Sequence, residues 1–182
     1  MAAHEQVVMD ADAIARSIRR VALEIVEQTR GTPHLGLVGI RRGGVPIANR
    51  IAAEIATAES RHVPVGAVDF TLYRDDAAST LPDTRIGPSE IDFEINGWDV
   101  VLVDDVLHTG RTVRAAIDCL LDYGRPRRVW LAVLCDRNGR QLPIAPDFVG
   151  QVLHVAEGSV LDVCADGGEG DRALIRSAGD EG

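Results

Sequence analysis

Val100, Val101, Leu102 and Val103 form an uninterrupted aliphatic run, and it passes directly into Asp104, Asp105, Val106, Leu107, His108, Thr109, Gly110, Arg111 and Thr112. This stretch constrains the chain more than any other. A continuous β-branched run predicts a central strand of a parallel sheet covered on both faces, because a half-exposed strand would alternate apolar with polar residues. After Thr112 the apolar positions change to helical spacing, at Val113, Ala116, Ile117, Leu120 and Leu121. The polar cluster therefore stands at the carboxyl end of a strand and the amino end of a helix, the edge at which open α/β sheets bind ligands.

The residue types in the junction describe what such a ligand carries. Thr109 to Thr112 supply backbone N–H groups and two hydroxyls at a helix N-terminus, where free donors and the positive end of the helix dipole favour a phosphate. Gly110 lets the backbone come close to it. Asp104 and Asp105 would repel a phosphate, but acceptor-only carboxylates beside a phosphate cradle suit a sugar diol. The two halves together predict a seat for a ribose 5-phosphate. A plain Asp-rich helix cap is the competing structural reading.

The rest of the chain supplies the layers that such a strand needs. Asp10 or Asp12 can cap a helix whose apolar residues Ile14, Ile18, Val21, Ala22, Ile25 and Val26 recur at three- and four-residue steps, ending by Gly31 and Pro33. Its polar face carries Arg16, Arg19, Arg20 and Glu24, a pattern that is commonly just a solvated face. Leu35 to Ile40 predicts the first core strand, and Arg41, Arg42, Gly43 and Gly44 form the turn into a helix from about Val45 to Ala56. Two guanidiniums beside two glycines can wrap a pyrophosphate. Period-two alternation from Val63 to Tyr73 predicts a long strand, and the polar segment from Arg74 to Glu94 predicts a lid or a linker. Val129 to Leu134 is a further core strand, and Ser159 to Cys164 with Arg172 to Ile175 form a terminal hairpin around a Gly/Asp turn, beyond which residues from Ser177 fray. With 182 residues, 46% hydrophobic and 4% aromatic, one domain with an aliphatic core is expected over 1–182. Cys119, Cys135 and Cys164 are widely spaced, without paired metal spacing, which favours a reducing compartment. No targeting core and no membrane span is evident, so a cytoplasmic protein with no membrane partner is expected. The net charge of −9 argues against a broadly basic nucleic-acid surface.

Val100 to Thr112 resembles the phosphoribosyl pyrophosphate (PRPP) signature of type I phosphoribosyltransferases. Further matches run in family order: Val38-Gly39-Ile40 before the basic glycine loop, Asp69-Phe70-Thr71-Leu72-Tyr73-Arg74-Asp75-Asp76, Tyr123-Gly124-Arg125-Pro126, and Leu131 to Arg137 followed by Leu142-Pro143-Ile144. On these the chain is identified as a member of the PyrR family, pyrimidine operon regulators that are also uracil phosphoribosyltransferases.

The resemblance implies a type I phosphoribosyltransferase fold, a central parallel sheet flanked by helices with a small hood from the terminal segments (156–182 forming its hairpin and tail). It implies conversion of uracil and PRPP to UMP and pyrophosphate, with Mg2+ bound through PRPP rather than at a metal site of the protein. Asp104 and Asp105 would hold the ribose hydroxyls, Thr109 to Thr112 the 5-phosphate and Arg41 to Gly44 the pyrophosphate, where many members have Thr-Arg-Gly. Arg74 would lead a closing lid over 74–94, and Arg137 and Leu153 would contact the base. His108 stands where the branch commonly has an aromatic ring; packing is preferred to a base contact. In the family the first helix binds RNA, which nominates Arg16, Arg19 and Arg20, and Arg140 near the Asp-Arg segment could join them in a basic patch. Leu23, Gly139 and Ala145, however, stand where polar or basic residues are common, so weak or absent binding to pyrimidine-leader RNA is expected. A regulator that only senses uridine nucleotides and a transferase for another base are the alternatives. A homo-oligomer is the expected state.

Overall fold

The computed structural model describes residues 4–71 and 89–177. A five-stranded parallel sheet in the order β3-β2-β4-β5-β6 forms the body. It is built from β2 (Leu35–Ile40), β3 (Val65–Val68), β4 (Asp99–Leu107), β5 (Arg128–Arg137) and β6 (Phe148–Leu153). Helices α1 (Ala11–Thr29) and α2 (Gly44–Glu59) cover one face and α3 (Arg111–Leu121) the other. The aliphatic run on β4 shows why a strand without polar residues was needed. Val101 and Val103 pack with Ile18, Ile47 and Ile51 of the first layer, while Val100 and Leu102 pack with Val113, Ala116 and Leu120 of the second. All four side chains are fully buried, and each contributes on the order of 1.5–3 kcal/mol relative to exposure.

Local chemistry sets the ends of these elements. The Asp10 side chain accepts the Ala13 N–H at 2.7 Å and caps α1, which stops at Arg30 in a left-handed conformation. Gly44 opens α2 close under β4; a Cβ there would collide with the Val103 carbonyl, so glycine is what allows the turn after β2 to lie against the neighbouring strand.

A second, antiparallel sheet has the order β1-β8-β7. It consists of β1 (His4–Met9), β7 (Val160–Cys164) and β8 (Arg172–Ser177), which makes it the hood of the two chain ends. Met9, Leu161 and Ala173 belong to the same buried cluster as α1, α2 and β4. Arg50 of α2 fastens the hairpin turn: its guanidinium donates to the Asp171 carboxylate at 2.6 Å and to the Ala165 carbonyl at 3.1 Å. Asp171 also accepts the N–H groups of Gly167 and Gly168. Burial alone would raise the Asp171 pKa, but these donors and Arg50 hold it below the usual carboxylate range.

Three elements differ from the sequence expectation. The alternating stretch from Val63 to Tyr73 pairs only over Val65–Val68, because the Asp69 side chain folds back to accept the Thr71 N–H and the Asp69 N–H turns to Ser89 Oγ; this local bonding competes with the ladder. The strand at the signature extends beyond Val103 to Leu107, so both aspartates lie on it rather than in the turn. The segment 74–94 is not all lid: Glu90 exchanges backbone hydrogen bonds with Ala67 at 2.8 Å, and Phe93 packs over Gly36. Leu72 to Pro88, including Tyr73 and Arg74, lies outside the described residues, as do 178–182. No helix among the described residues is long and apolar enough to cross a membrane.

Candidate active site

Successive residues on a strand face opposite sides, and this separates the two aspartates. Asp104, on the α3 side, is buried; Asp105 is half-buried and approaches Gly43, where a Cβ would collide with its carboxylate. Each carboxylate takes the next backbone N–H, Asp104 from Asp105 at 2.9 Å and Asp105 from Val106 at 2.8 Å. Burial, reinforced by the charge of Asp105, pushes the Asp104 carboxyl well above its ordinary pKa. Asp105 also lines a cleft of about 360 Å³ whose far wall is the hood, with Asp162, Arg172 and Arg176 among its residues. Hood residues facing Asp105 were not singled out from the sequence, since only the packing of the terminal hairpin brings them there. Arg41 and Arg42 precede Gly43 in the loop after β2; Arg41 meets Glu90 at 3.5 Å, and Arg42 is exposed.

The turn after β4 is fixed from outside. Gly110 takes a positive φ of 92° at the N-cap of α3, which has no side-chain cap bond. The first-turn N–H groups beyond Arg111 are therefore open to an anion. The Thr109 hydroxyl accepts the Arg111 N–H at 3.3 Å, and the Thr109 carbonyl accepts the N–H groups of Gln141 and Leu142 at 2.9 and 3.1 Å.

On the other flank, Arg137 and Leu153 are cross-strand partners in the β5–β6 register, so the two residues nominated for the base stand side by side at one sheet edge. Arg137 Nη1 donates to the Ser159 carbonyl at 3.3 Å, and its Nε is buried without a hydrogen-bond partner. Asn138 exchanges two hydrogen bonds with the Val155 backbone, tying the end of β5 to the chain leading into the hood. The exposed His108 ring lies against Gly139, where a Cβ would come within 2.6 Å of Nε2. Burial and the charges of Arg137 and Arg140 lower the His108 pKa, favouring the neutral ring.

The nominated RNA residues separate. Arg16 and Arg19 are exposed on α1. Arg20 is engaged with Glu24 at 2.9 Å and with the Val149 and Gly150 carbonyls of β6. Arg140 belongs to the candidate site: it donates to the Asp136 carboxylate at 2.6 Å and to the His108 carbonyl.

Residues 7–163 match the phosphoribosyl transferase domain family. The bifunctional protein PyrR of Acetivibrio thermocellus is 51% identical over 156 residues, covering 86% of this chain and 85% of that protein. The PyrR of Roseiflexus sp. is 54% identical over 147 residues, 81% and 80% of the two. Among solved structures, a hypoxanthine-guanine phosphoribosyltransferase of Bacillus anthracis superposes with a TM-score of 0.67 at 16% identity, over 98% of this chain and 100% of that one. A hypoxanthine phosphoribosyltransferase of Staphylococcus aureus gives 0.61 at 22% identity, over 85% and 80%. At such identities these structures speak for the fold, whereas about half of the residues shared over most of both chains, on a sheet and hood of this topology, mean that the chain belongs to the PyrR family of phosphoribosyl transferase domain proteins.

Proposed function

We propose that this chain, acting over 1–182 as one domain, is a uracil phosphoribosyltransferase that converts uracil and PRPP to UMP and pyrophosphate. One observation carries the reading. β4 sets Asp105 against Gly43 of the loop after β2 and continues into the open N-terminus of α3. Asp105, with the buried Asp104 beside it on the strand, thus stands between a turn suited to a pyrophosphate and a turn suited to a phosphate. That is the order of groups along PRPP.

In this reading Asp104 and Asp105 orient the ribose, the turn Thr109 to Thr112 holds the 5-phosphate, and Arg41 to Gly44 receive the pyrophosphate. A uracil ring nitrogen forms its bond to ribose C1 as the C1–O bond breaks; the pyrophosphate leaves with the electron pair, and the ring proton passes to solvent or to the leaving group. The side chains position the partners and stabilise charge, and no covalent enzyme intermediate is needed. The buried, unpartnered Arg137 Nε is a donor awaiting an acceptor, which suits a pyrimidine carbonyl beside Leu153. Mg2+ would be held by oxygens of PRPP itself, with Asp104 and Asp105 nearby, and when bound it neutralises charge on the pyrophosphate. The carboxylate oxygens of Asp104 and Asp105 at the end of β4 are hard donors of the kind this ion prefers. Free thiols on all three cysteines suit the cytoplasm.

A regulatory role through UMP-dependent binding of leader RNA is the secondary activity, and we propose that it is weak. Arg20 and Arg140 are already bound to partners within the chain, and Leu23 is exposed on the helix that would meet RNA. A PRPP-dependent assay across uracil, orotate, hypoxanthine, guanine and xanthine tests the main reading. UMP formation with uracil as the preferred base is expected; preference for another base would overturn it.

A further inference from the structure

Residues 140–142 reach across to the signature turn and hold it by its carbonyls. Arg140 donates to the His108 carbonyl while its guanidinium is anchored on Asp136 at 2.6 Å. Gln141 and Leu142 both donate backbone N–H groups to the Thr109 carbonyl, at 2.9 and 3.1 Å. Arg111 Nε closes the contact on Gln141 Oε1 at 3.0 Å. The side chains of Leu142 and Ile144 stand where a Cβ on Gly110 would touch them, at 3.4 Å.

In a trans peptide the C=O and the following N–H point in opposite directions, and both peptides here are trans. Pinning the His108 and Thr109 carbonyls on segment 140–142 therefore aims the N–H groups of Thr109 and Gly110 away from that segment. Neither donates to another described residue. We infer that segment 140–142 is a strap that preorganises the phosphate donors of the signature turn, and that Arg140 is a positioning residue for PRPP. Without its anchor on Asp136 the guanidinium would be free to swing away, and the turn would have to be ordered by the ligand at the moment of binding, at a cost in affinity. The inference rests on the PRPP reading of the turn but not on the identity of the base.

The test is a titration of the full-length protein with PRPP and Mg2+, by calorimetry, alongside steady-state kinetics, comparing wild type with Arg140→Met and Arg140→Lys. The expected result for Arg140→Met is a rise of roughly tenfold in the PRPP Kd and KM, the scale of one lost charge-assisted hydrogen bond. The KM for uracil at saturating PRPP, and kcat, are expected to stay within about threefold. Arg140→Lys, which keeps a donor and the charge, is expected to recover part of the affinity. In 15N-resolved spectra the PRPP-induced shifts of the Thr109 and Gly110 amides should diminish in Arg140→Met. A PRPP Kd within twofold of wild type, or equal losses for both substrates, would overturn the strap. Should Arg140→Met fail to fold, Arg140→Lys carries the same comparison, and an unchanged Kd and unchanged amide shifts there would overturn it equally. A wild-type protein that binds PRPP yet ignores uracil would sink the base assignment while leaving the strap to be judged on Kd.

Discussion

Asp104 occupies a position in which a carboxylate is costly, buried at the end of an aliphatic strand beside a second acidic residue. Replacing either Asp104 or Asp105 by Asn is expected to lower kcat/KM for PRPP by roughly 10²–10³, the scale for a group that orients the reacting centre, with the circular dichroism spectrum unchanged; full efficiency in both variants would remove the ribose assignment. Asp104 also makes a prediction about stability. Its folded pKa is raised by burial and by Asp105, so the folded state holds the proton more tightly than the unfolded chain. Its favourable contribution is complete below the ordinary carboxylate range and is lost as pH rises through the folded value. Asp104→Asn should therefore raise the melting temperature relative to wild type at pH 8 and lose that advantage near pH 4. A constant difference across that range would count against the buried, raised carboxyl. The thiols offer a simpler check. Burial, with Asp105 nearby, pushes Cys135 up to about 12, so iodoacetamide at pH 8 should label exposed Cys164 and leave Cys135 untouched in the native protein. Labelling of Cys135 at a similar rate, followed by mass spectrometry, would contradict its environment.

Between elements, the contact that decides most is the one holding the hood to α2. Arg50 and Asp171 form a pair in which the carboxylate is almost wholly buried and Arg50 retains 24% exposure. Arg50→Ala leaves a buried charge without its partner, and the expected loss is about 3 kcal/mol, at the low end for buried pairs because Arg50 is partly solvated; the urea midpoint measures it. The folded pKa of Asp171 is depressed, so its contribution is present above the ordinary carboxylate range and is lost as pH falls through the folded value. Without Arg50 acid unfolding should begin at a higher pH. Gly44 makes a second element-scale prediction. Gly44→Ala sets a methyl group against the Val103 carbonyl, and forcing α2 away from β4 is expected to cost about 1–3 kcal/mol. The elements readable from sequence were those whose pattern is local: Leu35–Ile40 coincides with β2, and the α1 cap falls on Asp10. β1 was not readable, and β3 was read too long. β1 owes its strand to pairing with β8, and the alternation after Val68 is overridden by Asp69 and Ser89.

For the whole molecule, a net charge of −9 sets up a field that opposes RNA, and a bound arginine gives up its present partners before it can take a phosphate. Titration with leader RNA at near-physiological salt is expected to show weak, salt-sensitive binding; tight, sequence-selective binding strengthened by UMP would restore regulation as the main role. The sequence by itself determined the parallel sheet, the strand-to-helix junction at its edge and the family, because each is written in contiguous residues whose side-chain periodicity or backbone chemistry acts within a few positions. Only the tertiary structure decided which arginines are free and which are committed. Arg140 looked like a surface cation, yet its partners are Asp136 and the carbonyl of His108, 32 residues away along the chain. The approach of Gly43 to Asp105, the hood wall opposite that carboxylate and the hydrogen bonds from 140–142 to the signature turn were settled in the same way. These contacts join distant segments, and no local pattern encodes them, since the free energy that selects them arises only when the sheet brings its strand ends to one edge.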